Sequence, residues 1–390
     1  MTATNPTGQQ ATADQHFMAL ALAEARKGRF WASPNPHVGC VLVRDGVELA
    51  RGFTQSPGGF HAEIDALNKV PDARGATAYV TLEPCAHIGK TGPCADALIA
   101  AGITRVVVAI EDPYPEVAGR GLTRLKAAGV EVVTGVLAAG ARAEIAGFLL
   151  RVTRGWGKVR LKLASSLDGR TAMASGESHW VSGAAARADV QCLRAESCAI
   201  LTGIGTVLAD DCSLTVRKEQ LPLTDEELLR ATTRQPLRAV LDTRLRIPPN
   251  ANVLRGPSAS IIFHDYSSAV GANQSRWPEH VELAATEVVD GQLELTSVLK
   301  ALSERGANTI LVESGPTLAG SLLETGLVDE VVIYQAPKLL GASARPLVNS
   351  TYSHLRDAPQ LRLLEVSRLG DDLRIIAEPL RPESACLQEL

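Results

Sequence analysis

From Asp14 to Lys27, the residues Met18, Ala21, Leu22 and Ala25 recur at i, i+3, i+4, i+7 spacing, which predicts an amphipathic helix. The run Ser33-Pro34-Asn35-Pro36 breaks it. Val38 to Val43 reads as a strand. Asp45-Gly46 follows as a tight turn, because glycine tolerates positive φ, and Val47 to Phe53 reads as the returning strand. Beyond it the pattern predicts a helix from near His61 and strands at Thr77–Leu82, Arg105–Ile110 and Val130–Val133. Helices are expected at Cys94–Ala101 and Gly121–Ala128. Together these elements make a helix-flanked mixed sheet.

The segment Arg151 to Gly157 is basic and glycine-containing, and it reads as a linker. A second alternating series follows. Strands are expected at Val159–Leu163, Ala199–Thr202, Leu237–Leu241, Ser260–Phe263, Thr309–Val312 and Glu330–Tyr334. Helices are expected at Gly183–Ala195, Leu293–Glu304 and Thr317–Thr325. The chain is therefore divided into a first α/β domain over 14–155 and a second over 156–381. Tails at 1–13 and 382–390 are expected to be disordered. No internal repeat links the halves.

Composition narrows the function classes. A length of 390 residues suits two domains. A net charge of −4 and 4% aromatic residues argue against a nucleic-acid partner, which calls for a basic stripe or stacking platforms. No stretch is apolar enough to predict a membrane span, and residues 1–13 carry no leader pattern. The seven cysteines, at 40, 85, 94, 192, 198, 212 and 386, are odd in number and widely spaced. They predict thiols in a reducing cytoplasm rather than a disulfide scaffold.

His61-Ala62-Glu63 is followed by Pro84-Cys85 and then Cys94. Zinc takes imidazole and thiolate ligands, and a catalytic site keeps one position for water. His61, Cys85 and Cys94 supply three such ligands, the first and last at expected helix starts. Glu63, two residues past His61, is within reach of that water without being a ligand, so it is the candidate proton shuttle. This order of residues is the logic of the zinc nucleobase deaminases, which remove a ring amino group hydrolytically. Two readings compete with it: ordinary core cysteines beside a helix-start histidine, and a structural zinc site. The segment between the cysteines, Ala86 to Pro93, brings His87, Lys90 and Thr91 beside the metal. A cation and hydrogen-bonding side chains there suit a base carrying a phosphate, although a solvated loop would look the same.

Ser33 to Gly39, Gly58 to Glu63, Thr81 to Cys94 and Asp112-Pro113-Tyr114-Pro115 together resemble the N-terminal half of the bifunctional riboflavin-biosynthesis deaminase/reductases. That resemblance implies a cytidine-deaminase-like three-layer α/β/α domain. It also implies 2,5-diamino-6-ribosylamino-4(3H)-pyrimidinone 5′-phosphate as substrate, losing its amino group at C2. His61, Cys85 and Cys94 match the zinc ligands, Glu63 the proton shuttle, and Asn35, His87 and Lys90 the substrate-lining positions. Two departures stand out: Thr54, where many members have His, and Tyr114, where many have Asn.

The second half lacks a G-x-G-x-x-G fingerprint after its first strand. Instead Gly315 to Ser321 follows a strand and opens a helix, a turn whose free N–H groups suit a pyrophosphate or form only a tight strand–helix junction. Ser165, Ser166, Asp168, Ser178, Trp180, Arg194, Asp210, Asp211 and Arg217 add more polar groups than a simple core needs. Arg194 and Arg217 suit a substrate phosphate, since guanidinium pairs bidentately with its oxygens. Asp210 suits a ribose hydroxyl or an amide, or a turn. Lys162 and Asp168 are placed nearby by motif, with structural roles equally open.

These segments resemble the reductase half of the same family, which has a dihydrofolate-reductase-like α/β fold. The resemblance implies NADPH as hydride donor to the sugar of 5-amino-6-(5-phosphoribosylamino)uracil, opening ribosyl to ribityl. It assigns Ala164, Trp180, Thr206, Asp210, Thr243 and Gly315, Pro316, Thr317, Leu318, Ala319, Gly320 and Ser321 to NADP. It assigns Ser178, Arg194, Leu214, Arg217 and Glu313 to the substrate. Cys212 stands where members often have proline. The expected partners are therefore small phosphoribosyl-pyrimidines, with no nucleic acid or membrane, and self-association into a homo-oligomer is open. The competing readings are a nucleoside or tRNA deaminase with an unrelated nucleotide-binding second domain, and a catalytically silent zinc- and nucleotide-binding protein.

Overall fold

Helix α1 (Pro6–Ala25) begins at Pro6 rather than at Asp14, so residues 6–13 are helix and not a disordered tail. Proline in the first turn gives up an N–H that has no partner inside the helix. Gln10 Nε2 then donates to Asp14 Oδ1 at 3.2 Å, one helical turn on. Asp14 anchors the helix to the sheet beneath, accepting from the Tyr79 hydroxyl at 2.9 Å and from both terminal nitrogens of Arg105 at 2.8 Å. The structure, a computed structural model, describes residues 6–86, 92–115, 117–178, 181–256, 258–269 and 276–380. The expected 382–390 tail, with Cys386, lies outside them. The described chain forms two units, Met1–Gly157 and Lys158–Leu390.

In the first unit β1 (Gly39–Arg44) turns at Asp45-Gly46, both at positive φ, into β2 (Val47–Phe53). α2 (Ala62–Leu67), β3 (Thr77–Val80), α3 (Cys94–Ala100), β4 (Arg105–Val108), α4 (Arg120–Ala127) and β5 (Glu131–Thr134) follow. The five-stranded sheet runs β2-β1-β3-β4-β5, antiparallel through β2, β1 and β3 and parallel from β3 to β5. Two glycines set its layers. A Cβ on Gly39 would lie 1.9 Å from the Ala21 carbonyl of α1, and one on Gly52 would lie 2.2 Å from the Ala62 carbonyl of α2. Gly39 and Gly52 face opposite sides, because Gly52 pairs with Cys40 and side chains alternate along a strand. The helices therefore press directly on both faces of the sheet, the expected α/β/α sandwich.

The Gly52 contact holds the helix that His61 caps, and the obstructing atoms are backbone. Gly52→Ala should cost about 1–3 kcal/mol of stability in this unit, and more if α2 cannot yield. Melting curves and metal content together check this. A wild-type melting curve would show that α2 yields freely.

The linker is shorter than expected. α5 (Ala138–Glu144) and α6 (Ala146–Arg154) close the first unit, and Arg151 to Arg154 form the last turn of α6. Gly155, at φ 92°, ends it. The stretch 141–154 has helical spacing, but Gly140, Gly147 and the basic ending mask it.

The second unit orders β6 (Lys158–Ser166), β7 (Arg170–Ala172), α7 (Ala184–Glu196), β8 (Ala199–Gly203), α8 (Ile204–Asp210), α9 (Asp225–Thr232), β9 (Leu237–Leu241), β10 (Ser260–Asp265) and β11 (Val281–Thr286). A small ribbon, β12 (Val288–Val289) and β13 (Gln292–Leu293), precedes α10 (Leu295–Glu304), β14 (Thr309–Glu313), α11 (Pro316–Glu324) and β15 (Glu330–Ala336). β16 (Arg345–Pro346), β17 (Leu361–Leu369) and β18 (Asp372–Pro379) complete it. The nine-stranded sheet runs β11-β10-β9-β8-β14-β6-β15-β18-β17. It is parallel from β11 to β15, and β18 and β17 are antiparallel. This is the expected second α/β domain, and its sheet is mostly parallel. Because its strands are parallel, the C-terminal ends of β6, β8, β9 and β14 all open at one edge.

Two candidate active-site clefts

In the first unit a cleft of about 730 Å³ is lined by Asn35, Thr54, His61, Glu63, Cys85 and Tyr114, among others. His61 is the N-cap of α2, and Cys94 is the first residue of α3 after Pro93. Cys85 lies in the loop after β3. The His61 Nδ1 nitrogen is 3.6 Å from the Cys85 sulfur and 3.3 Å from the Cys94 sulfur. All three ligand atoms lie within 4.8 Å of one another. Ligands on a tetrahedral zinc, with bonds of about 2.0–2.3 Å, stand about 3.3–3.8 Å apart. The set fits zinc, and among the described residues it is the one such cluster.

The electrostatics suit a cation. The hydrogen bond from Cys94 and the neighbouring His61 hold the Cys85 thiol down to about 4. The Cys94 amide at the head of α3 also donates to the Cys85 sulfur at 3.3 Å. Glu63 is only 4% exposed. Burial, with the Cys85 thiolate beside it, pushes its carboxyl up to about 7. It is thus a proton carrier poised near neutrality on the cleft floor, outside the ligand cluster.

Thr54 is buried, and its hydroxyl accepts from the Val38 amide at 2.9 Å. The residue thus ties the cleft wall together. Tyr114 is 38% exposed at the rim. His87 and Lys90 lie outside the described residues. One residue in this wall was given no role by the sequence. The buried Glu83 carboxylate accepts from the amides of Asp112 at 3.2 Å, Gly119 at 3.0 Å, Gly121 at 2.8 Å and Leu122 at 3.3 Å. It fastens the loop that carries Tyr114 to the loop that carries Cys85.

In the second unit a cleft of about 820 Å³ lies along the C-terminal ends of β6, β14, β8 and β9. Ala164, Thr206, Asp210, Thr243, Gly315, Pro316, Thr317, Leu318 and Ser321 line it, as do Ser178, Arg194, Leu214 and Glu313. Gly315 is the N-cap of α11 with Pro316 in its first turn, and the Gly315 amide donates to the Thr206 hydroxyl at 3.1 Å. A Cβ on Gly205 would meet open space. The β14–α11 and β8–α8 turns therefore face one another across open backbone, a surface suited to a dinucleotide pyrophosphate. The Ser178 hydroxyl reaches Asp210 Oδ1 at 3.4 Å.

Three expectations change. Ala319 and Gly320 point away from the cleft: Ala319 is in the core, and a Cβ on Gly320 would lie 2.8 Å from the Asn349 carbonyl. Arg217 is exposed and absent from the lining, because Leu214 and Val216 take the inward positions. Its guanidinium meets the Ser213 hydroxyl at 3.4 Å. Arg194 lines the cleft, but it is committed to Glu313 by a bidentate pair of 2.6 and 3.1 Å and to the Thr215 carbonyl at 3.1 Å. It is therefore a fixed partner of Glu313 rather than a free phosphate clamp. Trp180 lies outside the described residues.

Lys162 completes this cluster, its ammonium 3.8 Å from Glu313 Oε2. Burial lowers the Lys162 ammonium, against the pull of Glu313. Burial alone would raise the Glu313 carboxyl, but Arg194 and Lys162 outweigh it and hold it low. The signal was present in the sequence: a lysine set between the apolar residues Leu161 and Leu163 of the strand. Asp168 instead secures a loop, accepting from the Leu340 and Gly341 amides at 3.1 and 2.7 Å. The Ser166 hydroxyl and these amides hold its carboxyl down to about 2.

Residues 11–110 match the model of the cytidine and deoxycytidylate deaminase zinc-binding region, and residues 157–375 match that of the RibD C-terminal domain. The riboflavin biosynthesis protein RibD of Escherichia coli (strain K12) is 47% identical over 92% of this chain and 98% of that protein. The RibD structure from Acinetobacter baumannii, form 1, is 42% identical, with a TM-score of 0.87 over 95% of this chain and 100% of that one. A Thermotoga maritima structure described as a diaminohydroxyphosphoribosylaminopyrimidine deaminase/5-amino-6-(5-phosphoribosylamino)uracil reductase is 32% identical. Its TM-score is 0.83 over 95% of this chain and 100% of that one.

Proposed function

The chain belongs to the RibD family of bifunctional riboflavin-biosynthesis deaminase/reductases, and from that premise we propose that each cleft performs one of two consecutive steps. The first cleft deaminates 2,5-diamino-6-ribosylamino-4(3H)-pyrimidinone 5′-phosphate. The second reduces the resulting 5-amino-6-(5-phosphoribosylamino)uracil to its ribityl form. The observation that carries this reading is the pairing of a three-ligand zinc cluster beside buried Glu63 with a separate cleft that ends in the Lys162–Glu313–Arg194 cluster. A nucleoside or tRNA deaminase with an unrelated second domain does not account for a match over 92% of the chain that spans both units.

His61, Cys85 and Cys94 hold the zinc, which when bound supplies a water acidified to a pKa of about 7. Deamination exchanges C2–NH₂ for C2=O and releases ammonia. Glu63 takes the proton of the attacking water at a carboxylate oxygen. It returns protons to the ring nitrogen and to the departing amino group. Asn35, with His87 and Lys90, holds the pyrimidine and its phosphate.

In the second cleft NADPH supplies the hydride. The C1′–O4′ bond of the ribosyl group breaks as C1′ is reduced, and O4′ must gain a proton. Lys162 Nζ is the donor we assign; burial lowers its ammonium, and Glu313, 3.8 Å away, favours the charged form against that burial. In this reading Ser178 serves the substrate and Asp210 the cofactor, which the 3.4 Å contact between their side chains supports. A reducing cytoplasm, which preserves the two thiolates, is part of this reading. Self-association is also part of it, since β17 leaves Leu361, Leu363 and Val366 exposed at the sheet edge.

Incubating the diaminopyrimidine with and without NADPH tests the order. Ammonia should appear in both cases, and absorbance at the nicotinamide band should fall, mole for mole, only in the first. Removing zinc with a chelator should abolish ammonia release and spare NADPH oxidation with the pre-deaminated pyrimidine. Loss of both activities would contradict two separate sites.

A further inference from the structure

Four cations line the second cleft among its described residues: Lys162, Arg194, Arg246 and Arg345. Lys162 and Arg194 are tied to Glu313 at the ends of β6 and β14. Arg345 belongs to β16, which pairs with β7, the strand that follows β6. Its guanidinium lies against Gly176, since a Cβ there would be 2.9 Å from Nη2. These three groups crowd the β6 side, where the polar cluster marks the chemistry. Arg246 stands alone beyond the C-terminal end of β9. That strand is separated from β6 by β8 and β14, about 14 Å at three strand spacings.

The turn that carries Arg246 is built to turn it outward. Asp242 is fully buried, and its Oδ2 accepts from the Ile247 amide at 2.7 Å. Leu245, at φ 50°, sinks into the core between them. Arg246 is left 57% exposed on the cleft, with the Asp242 carboxylate 3.8 Å away as its nearest acid. The Thr243 carbonyl is pinned by the Asp265 amide at 3.1 Å and the Ser268 hydroxyl at 2.8 Å, which fixes the start of the turn.

A dinucleotide laid along this edge has a determined direction. Its nicotinamide must meet the substrate at the β6 side, and its pyrophosphate suits the facing turns after β14 and β8. Its adenosine ribose then arrives at β9. Where a cofactor with a free 2′-hydroxyl is used, a carboxylate commonly meets that hydroxyl, whereas an arginine accommodates a 2′-phosphate. Here the carboxylate, Asp242, is sequestered, and the arginine faces the cleft.

We propose that Arg246 binds the 2′-phosphate of the adenosine ribose and thereby selects NADP(H) over NAD(H). The proposal rests on the reductase reading. Its test is binding rather than turnover: calorimetric titration of the full-length protein, and of its Arg246→Ala and Arg246→Lys variants, with NADP⁺ and NAD⁺. Arg246→Ala should weaken NADP⁺ by tenfold or more and leave NAD⁺ within about twofold, as expected for loss of one charge-assisted contact. Arg246→Lys should recover most of the NADP⁺ affinity. 2′,5′-ADP should bind the wild type more tightly than 5′-AMP, and the alanine variant should erase that difference. Equal weakening of both dinucleotides, or no change in either, would overturn the proposal and leave the reductase intact. A wild-type protein that binds neither dinucleotide would overturn the reductase reading itself. Retained ammonia release and an unchanged melting curve exclude misfolding as the cause of a loss.

Discussion

Replacing Glu63 by glutamine will abolish ammonia release, by about a thousandfold or more, while NADPH oxidation with the pre-deaminated pyrimidine continues at the wild-type rate. The size follows from the role. Positioned acid–base catalysis contributes about 10²–10⁴-fold, and here one carboxylate serves at more than one proton transfer. Glutamine keeps the volume of a side chain that is 4% exposed, so no cavity opens beside α2. It also leaves His61, Cys85 and Cys94 untouched, and the zinc content of the purified variant should match the wild type. Glu63→Ala should lose the same activity and melt lower as well, because it adds a cavity to the chemical loss. Separate assays of ammonia and of nicotinamide absorbance read the two clefts independently. A folded, zinc-loaded variant in which both activities fall together would contradict the division of labour.

The zinc ligands were legible in the sequence because each lies where a local signal puts it. His61 and Cys94 stand at helix starts, and Cys85 follows a strand. The glycine turn before α11 was legible for the same reason. What escaped was set by distant partners. The amides that Glu83 holds lie at Asp112 and Gly119, in a loop, and at Gly121 and Leu122, in the first turn of α4, all distant from it in sequence. Arg194 looked like a phosphate clamp because its partner, Glu313, comes from a strand far along the chain. Among elements, β17 was missed because a bulge between Leu363 and Glu365 breaks its alternation, and nearly all of its side chains stay exposed. Helix α9 was missed although Thr224 and Glu227 form a full capping box at its start. That signal needed no tertiary information, and attention to the box pattern would have found it.

Glu313 makes the sharpest test of the second cleft, because two half-buried cations depend on it. In Glu313→Gln the Arg194 guanidinium stays charged and loses its bidentate partner. Breaking a buried pair by removing one member costs about 3–5 kcal/mol, so the second unit should melt markedly lower. The pH dependence of that loss has a defined sign. The folded-state Glu313 carboxyl is held below its ordinary value, once Arg194 and Lys162 have outweighed burial. Its contribution is therefore complete above the ordinary carboxylate range and disappears as the pH falls through the folded-state value. The stability gap between wild type and variant should be full at neutral pH and close in acid.

Lys162 supplies the second readout. Burial already lowers its ammonium, and Glu313 is the group that opposes this. Without the carboxylate, Lys162 should give up its proton at a lower pH. If Lys162 is the donor to O4′, the alkaline limb of the NADPH-oxidation profile must move to lower pH in Glu313→Gln, with activity at neutral pH down about a hundredfold. Ammonia release should not change, and Glu313→Asp should recover part of both the stability and the limb. A variant that loses stability but keeps the wild-type alkaline limb would leave Glu313 as a structural anchor and remove Lys162 from the proton path.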